Sequence, residues 1–248
     1  MEKRQLLWLV LGILVAIVNY FSITGERPWE DNDRILSYVL NPAEQDLDFY
    51  WKNDKGELYS NFKQLKNELR KEEKDLLFAM NGGMYLKDQS PQGLYIENGF
   101  ILKELDKKHE AYGNFYLQPN GVFFLRHDNT AEIVTTSSFS YSKEIKYATQ
   151  SGPMLVIDGL LHPSFRKGSE NLHIRNGVGL LEDGKLLFAM SEDRINFFDF
   201  ASFFKEQGCR YALYLDGFVS RTYLPQKGYE QMDGAFGVII AETRKNKK

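Results

Sequence analysis

The segment "LLFAMNGGMY", residues 76–85, carries the strongest structural signal in the chain. Its apolar run, Leu76–Met80, is followed at once by the turn-forming residues Asn81, Gly82 and Gly83. A short apolar run bounded in this way is typical of a central strand that ends at a loop. The same pentapeptide recurs at Leu186–Met190, where "SEDRINF" follows it. The sequence therefore predicts two buried strands that each end in polar groups.

Three strands of this kind end in side chains suited to binding. Asn81 follows the first pentapeptide, Glu192 and Asp193 follow the second, and Asp216 follows the apolar run "YALYL". Loops at strand ends often carry binding groups. If the three ends converge, one rim of a sheet carries a cluster of carboxylates and amides.

The remaining patterns define the fold class. Further strands are separated by turn signals, which are the pairs Asn98-Gly99, Asn120-Gly121, Asp158-Gly159 and Asp183-Gly184. Helical periodicity is limited to residues 61–74 and to "NFFDFASFFKEQG", in which Phe197, Phe200, Phe203 and Phe204 share one face and Gly208 suits a C-terminal cap. Many hairpins with few helices predict an α+β fold with a mixed, largely antiparallel β-sheet and a few packing helices.

The N-terminus carries a candidate transmembrane helix. Residues Leu6–Ile23 contain no charge, and Lys3 and Arg4 precede them. About 20 such residues span a bilayer, and basic flanks stay in the cytoplasm. We interpret residues 1–25 as a membrane anchor, or alternatively a cleaved signal segment that would leave a secreted protein. Residues 26–48 are then a linker and a first strand, 49–243 one domain outside the cytoplasm, and 244–248 a basic tail.

Composition excludes several classes of function. A net charge of −3 spread over 248 residues gives no basic footprint for nucleic acid. Cys209 is the only cysteine, so neither an intramolecular disulfide nor a multi-thiolate metal site can form. The four histidines lack metal-ligand spacing, and no serine-hydrolase or nucleotide motif occurs. No cofactor is expected; Ca²⁺ near Glu192 and Asp193 is conceivable from their oxygen ligands but has no further support.

Two positions are candidates for anion chemistry. Consecutive glycines, Gly82 and Gly83, can expose N–H groups to an anion, although a simple tight turn explains them equally well. Arg175 offers a planar fork suited to phosphate, although most surface arginines have no such partner.

Asp216 ends an apolar strand, where an ionised carboxylate needs a partner. A structural role in its own turn is the alternative.

Taken in order, these segments resemble the phosphodiester glycosidase family. The resemblance rests on "FAMNGGMY" with "PQGLYIENG", on "SGPMLVIDG", on "RNGVGLLEDG", on "FAMSEDRINFFDFASFF" and on "ALYLDGFVS". It extends from about Leu76 to Ile240 and is strongest to the bacterial, exopolysaccharide-associated branch. In that family a small residue commonly follows Leu-Asp-Gly, whereas this chain has Phe218, which bears on the substrate.

The resemblance implies hydrolysis of the bond between the anomeric carbon of a sugar and a phosphodiester. It implies Asp216 as nucleophile or base, with Asp193 and Glu97 as further catalytic candidates. Arg175 and the backbone at Asn81, Gly82 and Gly83 would bind the phosphate. The remaining substrate-binding candidates, which would orient the sugar, are Ser151, Gly152, Asn196 and Ser220.

Two other functions fit the same polar rim. A metal-dependent phosphodiesterase would cut the P–O bond and lose activity with chelators. A non-catalytic envelope protein would bind polysaccharide without turnover. Under the main interpretation the partners are a sugar-phosphodiester or phosphoglycan substrate and, through the N-terminal segment, the membrane, with no nucleic acid.

Overall fold

The computed structural model describes residues 34–216 and 219–246. The predicted transmembrane segment Leu6–Ile23 lies outside the described residues. Within those two ranges, no helix is both long enough and apolar enough to cross a bilayer.

The described residues form three β-sheets and two α-helices. The helices are α1 (Phe62–Lys71) and α2 (Phe197–Glu206). The strands are β1 (Ile35–Leu40), β2 (Asp46–Tyr50), β3 (Lys74–Asn81), β4 (Tyr95–Glu97), β5 (Phe100–Lys103), β6 (Gly121–Arg126), β7 (Ala131–Thr135), β8 (Ile145–Ser151), β9 (Met154–Ile157), β10 (Leu160–Leu161), β11 (Asn176–Leu181), β12 (Leu186–Ser191), β13 (Cys209–Asp216), β14 (Thr222–Leu224), β15 (Tyr229–Glu230) and β16 (Ile239–Lys245).

All strand pairs in these sheets are antiparallel. The first sheet has the order β1-β12-β11-β13-β9-β10, the second β15-β14-β3-β16-β2, and the third β5-β4-β8-β6-β7. The predicted α+β class with largely antiparallel pairing is confirmed for the described part of the chain.

The two copies of the pentapeptide belong to different sheets and pack against each other. β3 carries the first copy in the second sheet, and β12 carries the second copy in the first sheet. The rings of Phe78 and Phe188 lie 5.0 Å apart between centroids, and Met80 and Met190 belong to the same buried cluster. The repeated apolar run therefore provides the two facing walls of one core, because each sheet must bury one face.

Both helices begin where the sequence predicts, but α1 ends at Lys71, three residues before the predicted Lys74, where β3 starts. Asn61 accepts a hydrogen bond from the Gln64 amide (3.0 Å) ahead of α1. Asn196 accepts one from the Asp199 amide (2.8 Å) ahead of α2. Such caps satisfy amides that have no partner within the helix. The predicted shared face of α2 is confirmed, since its four phenylalanines are buried, and they are Phe197, Phe200, Phe203 and Phe204.

Three of the predicted hairpin turns are confirmed, and one is wrong. Asn98-Gly99, Asp158-Gly159 and Asp183-Gly184 connect β4–β5, β9–β10 and β11–β12. Asn120-Gly121 instead leads into β6, and the β6–β7 turn contains Asn129, whose φ is +65°. Asn120 does not form a turn, since its carbonyl accepts from the amide of Thr136 (2.9 Å) and so continues the pairing of β6 with β7. Its side-chain amide donates to the carbonyl of Phe115 (2.9 Å).

Candidate active site

Asp216 lines an open cavity of about 500 Å³. It is the last residue of β13, and its side chain is buried except for 5% of its surface. The cavity is lined by residues 84–87, Gln92, Asn114, Asp216, Val219 and Ala235. We call this space the Asp216 cavity.

Asn81 holds the Asp216 carboxylate in place. Its Nδ2 donates to Asp216 Oδ2 (3.0 Å) and to the carbonyl of Val219. Its Oδ1 accepts from Arg221 N (2.9 Å) and from Asn176 Nδ2 (2.9 Å), which fixes the orientation of the amide. The predicted convergence of the β3 and β13 ends is therefore confirmed for Asn81 and Asp216.

Asn176 joins the two strand ends, and the sequence analysis missed it. Its Oδ1 accepts from the backbone amide of Asp216 (2.8 Å), and its Nδ2 donates to the carbonyl of Asn81 (2.9 Å). It is fully buried at the start of β11, between β12 and β13. Its position directly after Arg175, within "RNGVG", was the one available signal.

Arg175 is fully buried and is not among the residues that line the Asp216 cavity. Its guanidinium donates to the carbonyls of Ile195 (2.8 Å) and Asn171 (2.8 Å) and to the hydroxyl of Tyr214 (3.1 Å). It also stacks 3.6 Å from the ring centroid of Phe197, and burial lowers its pKa. In this arrangement Arg175 fixes three segments around the site, whereas the predicted contact with phosphate would require its guanidinium to face the cavity.

Of the two glycines, Gly82 does not have the free amide that the prediction requires. The amide of Gly82 donates to the carbonyl of Val238 (2.9 Å), so it does not face an anion. A Cβ on Gly82 would lie 2.3 Å from Ile240 Cγ1, and one on Gly83 would lie 2.5 Å from Thr149 Oγ1. Gly83 also has a φ of +134°. Close packing at the end of β3 therefore explains both glycines.

Three of the predicted sugar-orienting side chains serve the framework. Ser151 is fully buried and donates to the carbonyl of Leu215 (2.8 Å), which ties β8 to β13. Ser220 donates to the carbonyl of Asp216 (2.8 Å) and closes the turn after β13. Asn196 caps α2, as described above. Gly152 packs against Asn120, where a Cβ would lie 2.6 Å from that residue's Cβ. Phe218 lies outside the described residues.

The two other predicted carboxylates lie apart from Asp216. Asp193 is exposed two residues beyond the end of β12. Glu97 accepts a hydrogen bond from the Tyr95 hydroxyl, and burial raises the pKa of Glu97. Ile96 pairs with Ala148, so Glu97 is level with Tyr147, four residues before Ser151 on β8. At about 3.3 Å per residue, Glu97 lies about 13 Å along the strand from Ser151. The structure does not bring either carboxylate into the Asp216 cavity.

The loop after β3 supplies two lining residues that the sequence analysis did not select, Tyr85 and Lys87. Burial, followed by the charge of Asp216, raises the pKa of Tyr85 to about 12, so its hydroxyl stays protonated at neutral pH. Lys87 is exposed and is the one cationic residue among the described residues that line the cavity. The pairing of a buried carboxylate with a rim cation suits a ligand that has both a sugar ring and a negative charge.

Among residues 34–216 and 219–246, no group of three or more His, Cys, Asp or Glu side chains is placed to hold a metal ion.

Comparison with known proteins identifies the family. The family model described as phosphodiester glycosidase matches residues 74–238, which contain both strand ends and the entire Asp216 cavity. The chain belongs to the phosphodiester glycosidase family. The uncharacterized Escherichia coli protein YigE is 34% identical to this family member over 212 residues, covering 85% of this chain and 82% of YigE.

Solved structures share the fold of this phosphodiester glycosidase family member. The catalytic domain of zebrafish N-acetylglucosamine-1-phosphodiester alpha-N-acetylglucosaminidase, auto-inhibited by its pro-peptide, matches with a TM-score of 0.56 and 14% identity, covering 86% of this chain and 84% of that chain. A Burkholderia pseudomallei protein matches with a TM-score of 0.55 and 9% identity, covering 84% and 73% of the two chains. Family membership supports phosphodiester glycosidase activity, and the solved structures show the shared fold.

Proposed function

We propose that this protein hydrolyses the glycosidic bond of a sugar-1-phosphodiester in the Asp216 cavity. The observation that carries the proposal is the Asp216 carboxylate, which lines an open cavity and is held by Asn81 at 3.0 Å. A carboxylate oriented in this way can attack an anomeric carbon or accept a proton from an attacking water.

A phosphate leaving group requires few catalytic groups, which fits a site with one oriented carboxylate. Water adds its oxygen to the anomeric carbon, the C–O bond breaks, and the phosphodiester departs as a phosphate monoester with one proton transferred from the water. Because the departing oxygen becomes that of a phosphate monoester, whose second pKa is about 6, it needs less help from a general acid than the oxygen of an alcohol does. A cation near the departing oxygens then supplies the main stabilisation.

Lys87 is placed to meet the phosphate, and Tyr85 to contact the sugar. Both line the Asp216 cavity, and the protonated Tyr85 hydroxyl can donate to a sugar oxygen. In this proposal Arg175 is a positioning residue, since its guanidinium hydrogen bonds bring the Asn171, Ile195 and Tyr214 segments together.

Hydrolysis in H₂¹⁸O tests the proposal. The substrate is N-acetylglucosamine-α-1-phosphomethyl ester, and mass spectrometry locates the label in the products. We expect ¹⁸O in the sugar and none in methyl phosphate. Label in the phosphate would show P–O cleavage and favour the metal-dependent phosphodiesterase, particularly if EDTA abolished turnover. Saturable binding without any product would favour a non-catalytic glycan-binding protein.

We further propose that the domain acts outside the cytoplasm on a glycan of the cell envelope. The support is the charge-free run Leu6–Ile23 after Lys3 and Arg4. Protease added to intact spheroplasts should digest the domain while a cytoplasmic marker survives. A domain that stays intact until the cells are lysed would contradict this location.

A further inference from the structure

A second cavity, of about 180 Å³, lies outside the site already described. It is formed between residues 106–109, the segment around Asn120, and the short helical turn at Thr136–Ser138 with Phe139. None of its lining residues lines the Asp216 cavity. Its volume equals about six water molecules at ~30 Å³ each, which is the size of one pyranose ring.

Asn120 provides a buried acceptor in this second cavity. The residue is 1% exposed, and its Nδ2 donates to the carbonyl of Phe115 (2.9 Å). Its Oδ1 has no hydrogen-bond partner among the described protein atoms. A buried carbonyl oxygen without a donor destabilises a protein by about 1–3 kcal/mol. Because Asn120 lines the cavity, a ligand hydroxyl that reached Oδ1 after a small side-chain shift would remove that penalty.

Gln150 holds the second cavity in a fixed shape. This residue is also 1% exposed. Its Nε2 donates to Thr136 Oγ1 (3.2 Å) and to the carbonyl of Asp106 (2.7 Å), and its Oε1 accepts from the amide of Asp106 (2.9 Å). The two sides of the cavity are thus bonded to the same glutamine on β8. A preformed site of this kind loses little ordering entropy on binding.

The rim of the second cavity is cationic. Lys107 and Lys108 are exposed and form no ion pair with any residue of the described ranges. Asp106 also lines the cavity, and its carboxylate accepts from the Tyr116 hydroxyl (2.9 Å) and from the amide of Lys108 (2.9 Å). Phe139 adds an aromatic wall. An amide acceptor, an aromatic wall and two lysines fit a sugar ring that carries an anionic group.

We propose that the second cavity binds one phosphorylated sugar unit. The identification of that unit as part of a phosphoglycan substrate rests on the proposed function, whereas the binding itself needs no turnover. The site would hold a neighbouring unit of the polymer while the Asp216 cavity acts on another.

Calorimetric titration of the full-length protein in detergent tests the proposal with glucose 6-phosphate as the probe. We expect saturable binding that weakens with salt, and much weaker binding of glucose or of inorganic phosphate alone. The variant Lys107→Glu with Lys108→Glu should bind the probe about tenfold more weakly. Ser137→Trp, which fills the cavity from an exposed position, should abolish binding.

Two controls keep the result specific. Lys55→Glu with Lys63→Glu makes the same charge change at exposed positions outside both cavities and should bind normally. Lys87→Glu changes the Asp216 cavity and should also leave this binding event in place. The proposal is overturned if the probe does not bind, if the control pair weakens it equally, or if Lys87→Glu removes it while Ser137→Trp does not. Failure of the wild-type protein to hydrolyse any phosphodiester counts against the proposed function alone.

Discussion

The strands β3 and β12 share the pentapeptide "LLFAM" and face each other across one core, yet their ends have different environments. β3 ends at Asn81, which is fully buried and bonded to Asp216 (3.0 Å). β12 ends at Ser191, beyond which Asp193 is exposed to solvent. The same five residues therefore make the same buried strand twice.

The residues that follow each strand decide whether its end contributes to the site. At the end of β3, Asn81 meets Asn176 and Asp216 because β11 begins and β13 ends beside it. At the end of β12, Ser191 Oγ accepts from the amide of Arg175 (2.9 Å), and the chain then turns outward. The difference shows that an apolar strand pattern locates a strand end but does not tell which ends meet.

The largest expected effect comes from neutralising, in separate variants, the carboxylates at two strand ends. Asp216→Asn should lower kcat by about 100-fold or more, because the group that attacks or accepts a proton is lost. Asp193→Asn should change kcat less than about twofold, since that side chain is exposed. Steady-state kinetics on a sugar-1-phosphodiester measure both. Equal losses in the two variants would mean that the β12 end also belongs to the site.

The two phenylalanines of the repeated pentapeptide should contribute equally to stability, although the two strand ends differ in function. Phe78→Ala and Phe188→Ala should each lower the free energy of unfolding by about 3–5 kcal/mol, because each leaves a cavity in the shared core. The double variant should show a coupling of about 0.5–1.5 kcal/mol for rings 5.0 Å apart. Urea denaturation measures these values. A much smaller loss for one phenylalanine would contradict the equivalence of the two strands.

The first residue after each pentapeptide gives a sharper test. Asn81→Ala should lower kcat/KM about tenfold or more, equivalent to ~1.4 kcal/mol, because Asp216 loses an oriented donor. Ser191→Ala should leave kcat/KM nearly unchanged and lower the free energy of unfolding by about 1 kcal/mol through one lost acceptor. Comparing kinetics with thermal unfolding of both variants separates positioning from general destabilisation.

Removing a cation from the loop after β3 should change KM more than removing one from the loop after β12, but by less than the effects above. Lys87→Ala should raise KM about fivefold, with an effect that shrinks at high salt, because Lys87 lines the Asp216 cavity. Arg194→Ala removes an exposed cation from the loop after β12 and serves as the matched control. A KM that is insensitive to Lys87→Ala would remove Lys87 from phosphate binding.

The smallest expected effect concerns Glu97, which lies away from both strand ends. Glu97→Gln should leave kcat within about twofold of the wild-type value. Because the folded-state pKa of Glu97 is raised, its contribution to stability is present below the unfolded pKa and is lost as pH rises through the folded pKa. Glu97→Gln should therefore be more stable than wild type above the folded-state pKa of Glu97, and this difference should disappear at lower pH. Unfolding measured over a series of pH values checks both expectations. A large drop in kcat would restore Glu97 as a catalytic candidate.

Sequence patterns located the strands, the two capped helices and Asp216, because those features depend on local periodicity and on the residue next in the chain. They failed at Asn120, whose carbonyl accepts from the amide of Thr136 and so continues the pairing of β6 with β7. They also proposed Arg175 for phosphate binding, whereas in the fold Phe197 and Tyr214 enclose it. Burial of a charged group depends on residues far away in sequence, so no local pattern reports it.

By itself the sequence determined that the chain has two matching apolar strands, an antiparallel α+β fold and a polar residue at each strand end. These properties follow from short-range alternation and turn chemistry. Only the tertiary structure decided that Asn81, Asn176 and Asp216 meet, that Lys87 rather than Arg175 lines their cavity, and that Asn120 faces a second one. Those contacts join segments separated by 40 to 135 positions. Strand pairing within the first sheet places Asn176 opposite Asp216, and the packing of the second sheet against it brings Asn81 to both.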